Sequence, residues 1–284
     1  GRVREGGDGL APEIRNEGSL AIYSSGVTLD TFLSNEGGGT IVQEVGGIAL
    51  DDDGVIVNFG TYEHRRGAIA RVFGADSGSF SNHGTYKRPN HPDTQDETIQ
   101  GPFVHNPGAT ARYEKATTTY TGPGLFMLGG DVIIEQGAAM RASTAQAQNS
   151  STNVSGNGQF RIEGFGGNGS FLVTEPKVEV TVSMNAATGG EFVLGVGGAI
   201  GGPGKVRNTQ EMEWNGGRVG LNGSGRLVND GHCRVQSGIV NPGGLFTNKD
   251  EVTQTGVFTL NSSNAVNEEA WTITSGIAVQ GNGT

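Results

Sequence analysis

Eight asparagines recur along this chain in a common frame: Asn16, Asn35, Asn58, Asn82, Asn106, Asn208, Asn229 and Asn248. Two positions before each stands a large apolar residue: Ile14, Leu33, Ile56, Phe80, Val104, Val206, Leu227 and Phe246. Six of the eight have glycine two positions later. The spacings are 19, 23, 24 and 24 residues, then, after a long gap, 21 and 19. A period of about two dozen residues, built from short strands and Asn-x-Gly turns, predicts a β-solenoid. Equivalent residues of successive coils then stack ~4.8 Å apart. An inward asparagine at a turn can bond its amide to the coils above and below and satisfy backbone groups at the bend. The following glycine supplies a left-handed or closely packed residue. The alternative, exposed Asn-Gly turns in an antiparallel sheet, does not account for the fixed apolar partner.

The frame divides one elongated domain, 1–284, into three sections. Regular coils are expected over 10–115, irregular coils with loop insertions over 116–205, and regular coils again over 206–284, each of roughly 20–24 residues. Val55-Ile-Val57, Phe171-Leu-Val173 and Phe258-Thr-Leu260 read as strands. Residues 87–97 are too polar and proline-punctuated for a strand and read as a projecting loop. Ala138–Gln148 reads as a short helix or as a pair of small-residue strands. The abundant glycine, 51 of 284 residues against 9 prolines, is turn material, because no Gly-X-Y period exists.

A formal net charge of −10 disfavours nucleic acid as a partner, since phosphate binding needs a basic surface. No apolar run approaches the ~20 residues that span a bilayer. The chain begins at Gly1 rather than methionine, and is expected to be a processed protein or part of a longer one. The single cysteine, Cys233, has no intrachain disulfide partner. It stands four residues after Asn229, the slot of Leu20, Tyr62, Tyr86, Met212 and Val252 in other repeats, and is expected in the core.

Phe80-Ser-Asn-His-Gly-Thr-Tyr86, Ile56-Val-Asn-Phe-Gly-Thr-Tyr62 and Leu227-Val-Asn-Asp-Gly-His-Cys233 resemble the strand repeats of bacterial surface β-solenoids, as found in large adhesins and autotransporter passenger regions. The resemblance covers about two-thirds of the chain. It implies an extracellular or cell-surface location and a role in adhesion or scaffolding. It transfers no catalytic residues, because the shared pattern is structural.

Chemistry-bearing motifs are scarce. The chain has no Gly-x-Ser-x-Gly elbow, His-Glu-x-x-His pair or phosphate-binding Gly-Lys-Ser/Thr loop. His83 and His105 flank successive asparagines on opposite sides, and solvated turn histidines are the commoner outcome. The acidic turns Asp51-Asp52-Asp53 and Glu5–Gly9 offer hard oxygens, which makes calcium a weak candidate and no other cofactor one. The rival function is a polysaccharide-active β-helix lyase or glycoside hydrolase, which needs paired carboxylates. Asp51, Asp52, Asp53, Glu63, Asp93, Asp96 and Glu97 are its candidates, but Trp214 and Trp271, the expected sugar platforms, lie far away in sequence. The reading favoured is therefore a non-enzymatic structural or adhesive protein. It would build a surface fibre, sheath or adhesin stalk as a homo-oligomer or polymer, with surface glycans as further partners.

Overall fold

The computed structural model describes residues 2–4, 13–23, 26–51, 53–71, 78–121, 124–164, 169–221, 223–261, 264–274 and 279–281. The chain is all-β, and its parallel strands stack as a β-solenoid of about 12 turns of roughly 21 residues. Each coil contributes one strand to each of three stacks. In the first coil these are Glu13–Asn16 (stack I), Ser19–Ile22 (stack II) and Gly26–Leu29 (stack III). Stack II forms a 12-stranded parallel sheet, and stacks I and III belong to a second sheet. Toward the C-terminus the two merge into long bent strands such as Glu211–Leu221 and His232–Val240. Arg2–Arg4 pairs antiparallel with the first strand of stack I.

Alternation creates the core. Along Val55–Asn58 and Thr61–His64 every second residue is buried, the pleat's period of two. Register then places like on like: Leu33 on Ile56, Ile56 on Phe80, Phe80 on Phe103. Phe80 and Phe103 lie parallel with ring centroids 4.8 Å apart, and Phe160 stacks on Phe192 at 5.6 Å. Burying each such side chain contributes about 1.5–3 kcal/mol, repeated at every coil.

Ala138–Ala142 and Thr144–Ala147 are strands, so the segment with a helical alternative is the strand pair. The excursion is shorter than 87–97 and does not project freely. Thr85–Arg88 and Glu97–Ile99 are strands, and the loop between them folds back onto the next coil. There the Lys115 Nζ donates to the His91 carbonyl at 2.8 Å, and the Asn90 N–H donates to Glu114. Arg88 is fully buried beneath this loop, donating to the His64 carbonyl at 3.0 Å and to the Gln95 carbonyl.

Candidate functional site

The asparagine frame resolves into two hydrogen-bonded ladders at different corners. Asn16, Asn35, Asn58 and Asn82 end strands of stack I, where the chain turns into stack II. Each Nδ2 donates to the Oδ1 of the next asparagine at 2.7–2.8 Å, from Asn16 through Asn35 and Asn58 to Asn82. The same Nδ2 groups donate to the carbonyls of Thr40, Thr61 and Thr85. Asn208, Asn229 and Asn248 instead end strands of stack II, and bond in the same way through to Asn267.

Asn106 is off the ladder. His105 is the residue in register with Asn82, and its Nδ1 faces the Asn82 Nδ2 at 3.3 Å. The inward residue two positions before is Phe103, while Val104 points outward, since a one-residue slip exchanges the faces of a strand. Asn106 donates to the Ser81 hydroxyl and the Asn82 carbonyl instead. Burial holds the His105 imidazole down to about 4. Cys233 is buried, and burial raises its thiol far above the ordinary range. Its register partners are Met212 and Val252 in stack III, whereas Leu20, Tyr62 and Tyr86 belong to stack II.

The proposed carboxylates do not converge. Glu63 pairs with Arg65 at 3.1 Å and Asp93 with His91 at 3.4 Å. Asp51 and Asp53 sit in a turn, while Asp52 and the Glu5–Gly9 turn lie outside the described residues. Asp96 accepts the Thr117 N–H at 2.7 Å, and Glu97 the Gly67 N–H at 2.8 Å. Among the described residues no group of three or more His, Cys, Asp or Glu side chains is placed to hold a metal ion. No described helix is long and apolar enough to cross a membrane. Trp214 is a core residue, its Nε1 donating to the Gly217 carbonyl at 2.7 Å, and Trp271 packs against Phe246 and Phe258.

The outer face of stack III carries the feature the sequence did not reveal. Four shallow clefts of about 250, 430, 300 and 170 Å³ follow one another along it. Ala68 lines both the first and the second, and Thr117 both the second and the third. From the strand at Gly26 to the strand bearing Glu213 the clefts make a line parallel to the solenoid axis. The fourth shares no lining residue with the third but adjoins the second through the register pair Arg141 and Arg161. At ~4.8 Å per coil the line is roughly 40 Å long. The N-terminal floor is made of small residues, among them Ala49, Ala68 and Ala70. Asp96, at the end of the folded-back loop, and Thr188, in the 3-10 turn Ala186–Thr188, contribute to its lining at one corner.

Further along, register aligns one outward row: Thr98, Thr119, Arg141, Arg161, Val193, Glu213 and Arg234. Glu163 bridges Arg141 and Arg161. Arg234 lies 3.7 Å from Glu191 and 3.6 Å from Glu211. Burial and a hydrogen bond with Glu213 raise the Glu191 carboxyl above the ordinary carboxylate range. The spacings 141, 161, 193, 213, 234 are coil lengths except for one of 32 residues, which hides the row from a periodicity search. Comparison with family models, with curated proteins and with solved structures returns no match to this chain.

Proposed function

We propose that this chain is an extracellular structural or adhesive rod, a building block of a surface fibre, sheath or adhesin stalk. The observation that supports it is the direction of its buried polar bonding. Seven fully buried asparagines bond coil to coil along the axis: Asn16, Asn35, Asn58, Asn82, Asn208, Asn229 and Asn248. In a low-dielectric interior such bonds are strong and costly to break. They add to the backbone ladders, which run the same way, and a rod so bonded resists bending and pulling. Negative-stain microscopy with light scattering over a concentration series tests the fibre version, as rods that join or pack together. Particles that stay single at every concentration sink that version and leave the stalk. Antibody labelling of intact source cells tests the surface location.

The second reading, a polysaccharide lyase or hydrolase, draws on the carboxyls of the stack III groove. Glycoside hydrolysis places its two carboxyls roughly 5–10 Å apart across the bond that breaks. Glu191 and Glu213 are in direct hydrogen-bond contact, too close to flank a sugar linkage. The rod reading is therefore preferred. Turnover of any polysaccharide that disappears in Glu213→Ala would reverse that preference.

A further inference from the structure

We infer that the groove on stack III binds a linear, uncharged, hydroxyl-rich glycan laid parallel to the solenoid axis. This rests on the adhesive reading and names the partner class its groove fits.

The shape requires an extended ligand. Clefts strung over roughly 40 Å at the ~4.8 Å coil spacing suit a chain rather than a compact molecule. The spacing also selects the type of chain. An extended polypeptide advances ~3.3 Å per residue and falls out of step with the coils, whereas a hexose unit is of the same order as one coil.

The lining supplies donors and acceptors side by side. Thr98 and Thr117 present hydroxyls, and Arg161 donates to both Gln159 and Glu163. Glu213 accepts from Gln236 at 2.8 Å, and Glu191 accepts from Gln159 at 3.4 Å. Sugar hydroxyls both donate and accept, and such a surface meets both needs.

Charge excludes the other polymers. Arg141, Arg161 and Arg234 face Glu163, Glu191, Glu211 and Glu213. Arg141 and Arg161 both pair with Glu163, and Arg234 lies between Glu191 and Glu211. Each arginine already has a carboxylate, so a polyanion finds no free cation in this cluster. Glu163, Glu191 and Glu211 are likewise held by arginines and Glu213 by the Gln236 amide, which leaves a polycation little to bind.

The test is titration calorimetry of the whole chain with six-sugar oligomers. A neutral set (gluco-, manno- and xylo-oligomers) is compared with an anionic set (galacturonate) and a cationic set (glucosamine). The inference expects a neutral oligomer to bind, more tightly than its three-sugar form, with little dependence on salt. Arg161→Ala and Glu213→Ala should each weaken binding by about tenfold or more. Thr85→Ala, on the outer face of stack II, should leave it unchanged. Both groove positions point outward, and an unchanged thermal unfolding curve for each variant separates lost binding from lost fold. Binding only of a charged oligomer, falling steeply with salt, overturns the inference, as does no binding of any neutral oligomer. Neutral binding indifferent to both groove substitutions overturns the site but leaves the adhesive reading standing. That reading fails separately, if intact source cells do not display the chain.

Discussion

Asn58 accepts from Asn35 and donates to both Asn82 and the Thr85 carbonyl. Its removal takes the donor from the buried Asn82 Oδ1 and the Thr85 carbonyl, while the Asn35 Nδ2 keeps the Gly39 and Thr61 carbonyls. Asn58→Ala should lower stability by about 3 kcal/mol, since each buried group left unpaired costs ~1–3 kcal/mol. Asn267→Ala, at the exposed end of the other ladder, should cost under about 1 kcal/mol. Urea unfolding midpoints of the two variants give the comparison. His105 makes a second prediction. Its imidazole titrates near 6.5 when unfolded but is held down to about 4 by burial in the fold. Between those values the unfolded chain binds more protons, so stability is complete above about 6.5 and falls as pH drops toward about 4. The loss from this residue is on the order of 3 kcal/mol. His64, buried beside Arg88, is lowered in the same direction and adds to the acid limb. His105→Asn should continue the ladder and make the stability–pH profile from 7 down to 4 shallower.

The turns after Asn58 and Asn82 show why glycine is needed there. A Cβ on Gly60 would lie 2.2 Å from the Gly39 carbonyl oxygen, and one on Gly84 2.3 Å from that of Gly60. Neither glycine has a positive φ, so the constraint is the backbone of the preceding coil rather than a left-handed residue. Gly18, in the first coil, has nothing within 4 Å of its Cβ position. Gly60→Ala should therefore destabilise by about 1–3 kcal/mol or more through overpacking. Gly18→Ala should be neutral or slightly stabilising, by about 0.4–1 kcal/mol. Thermal unfolding of the pair tests the assignment. Asn35 follows the same logic with a longer turn: its Nδ2 reaches the Gly39 carbonyl, and a Cβ on Gly39 would lie 2.4 Å from the Asn35 Oδ1.

Along the whole molecule each coil touches chiefly its neighbours, so damage should stay local, as in other repeat folds. Trp214→Ala removes a side chain packed on Phe246 and Phe258 and should cost about 3–5 kcal/mol. Hydrogen exchange should then rise across residues 205–261 while the Asn16 to Asn82 ladder keeps its protection; uniform loss of protection would contradict the repeat picture. Much of this architecture was legible in the chain. The pairing of an apolar residue with an asparagine two positions on is local chemistry: a strand of period two ends in an amide that bonds the turn it enters. That pattern determined the solenoid, the coil length, the inward asparagines and a core position for Cys233. It did not say at which corner of the coil a turn lies, because the same Asn-turn geometry serves the end of stack I and the end of stack II. It also misplaced Asn106, where His105 takes the ladder slot and the turn is longer. Only the stacking of coils decided those points. It alone brought Arg161, Glu163, Glu191, Glu213 and Arg234 together, since an interval of 32 residues conceals their common row. Which outward residues meet depends on coil-to-coil register, and register is fixed by packing of the whole core rather than by any local stretch of sequence.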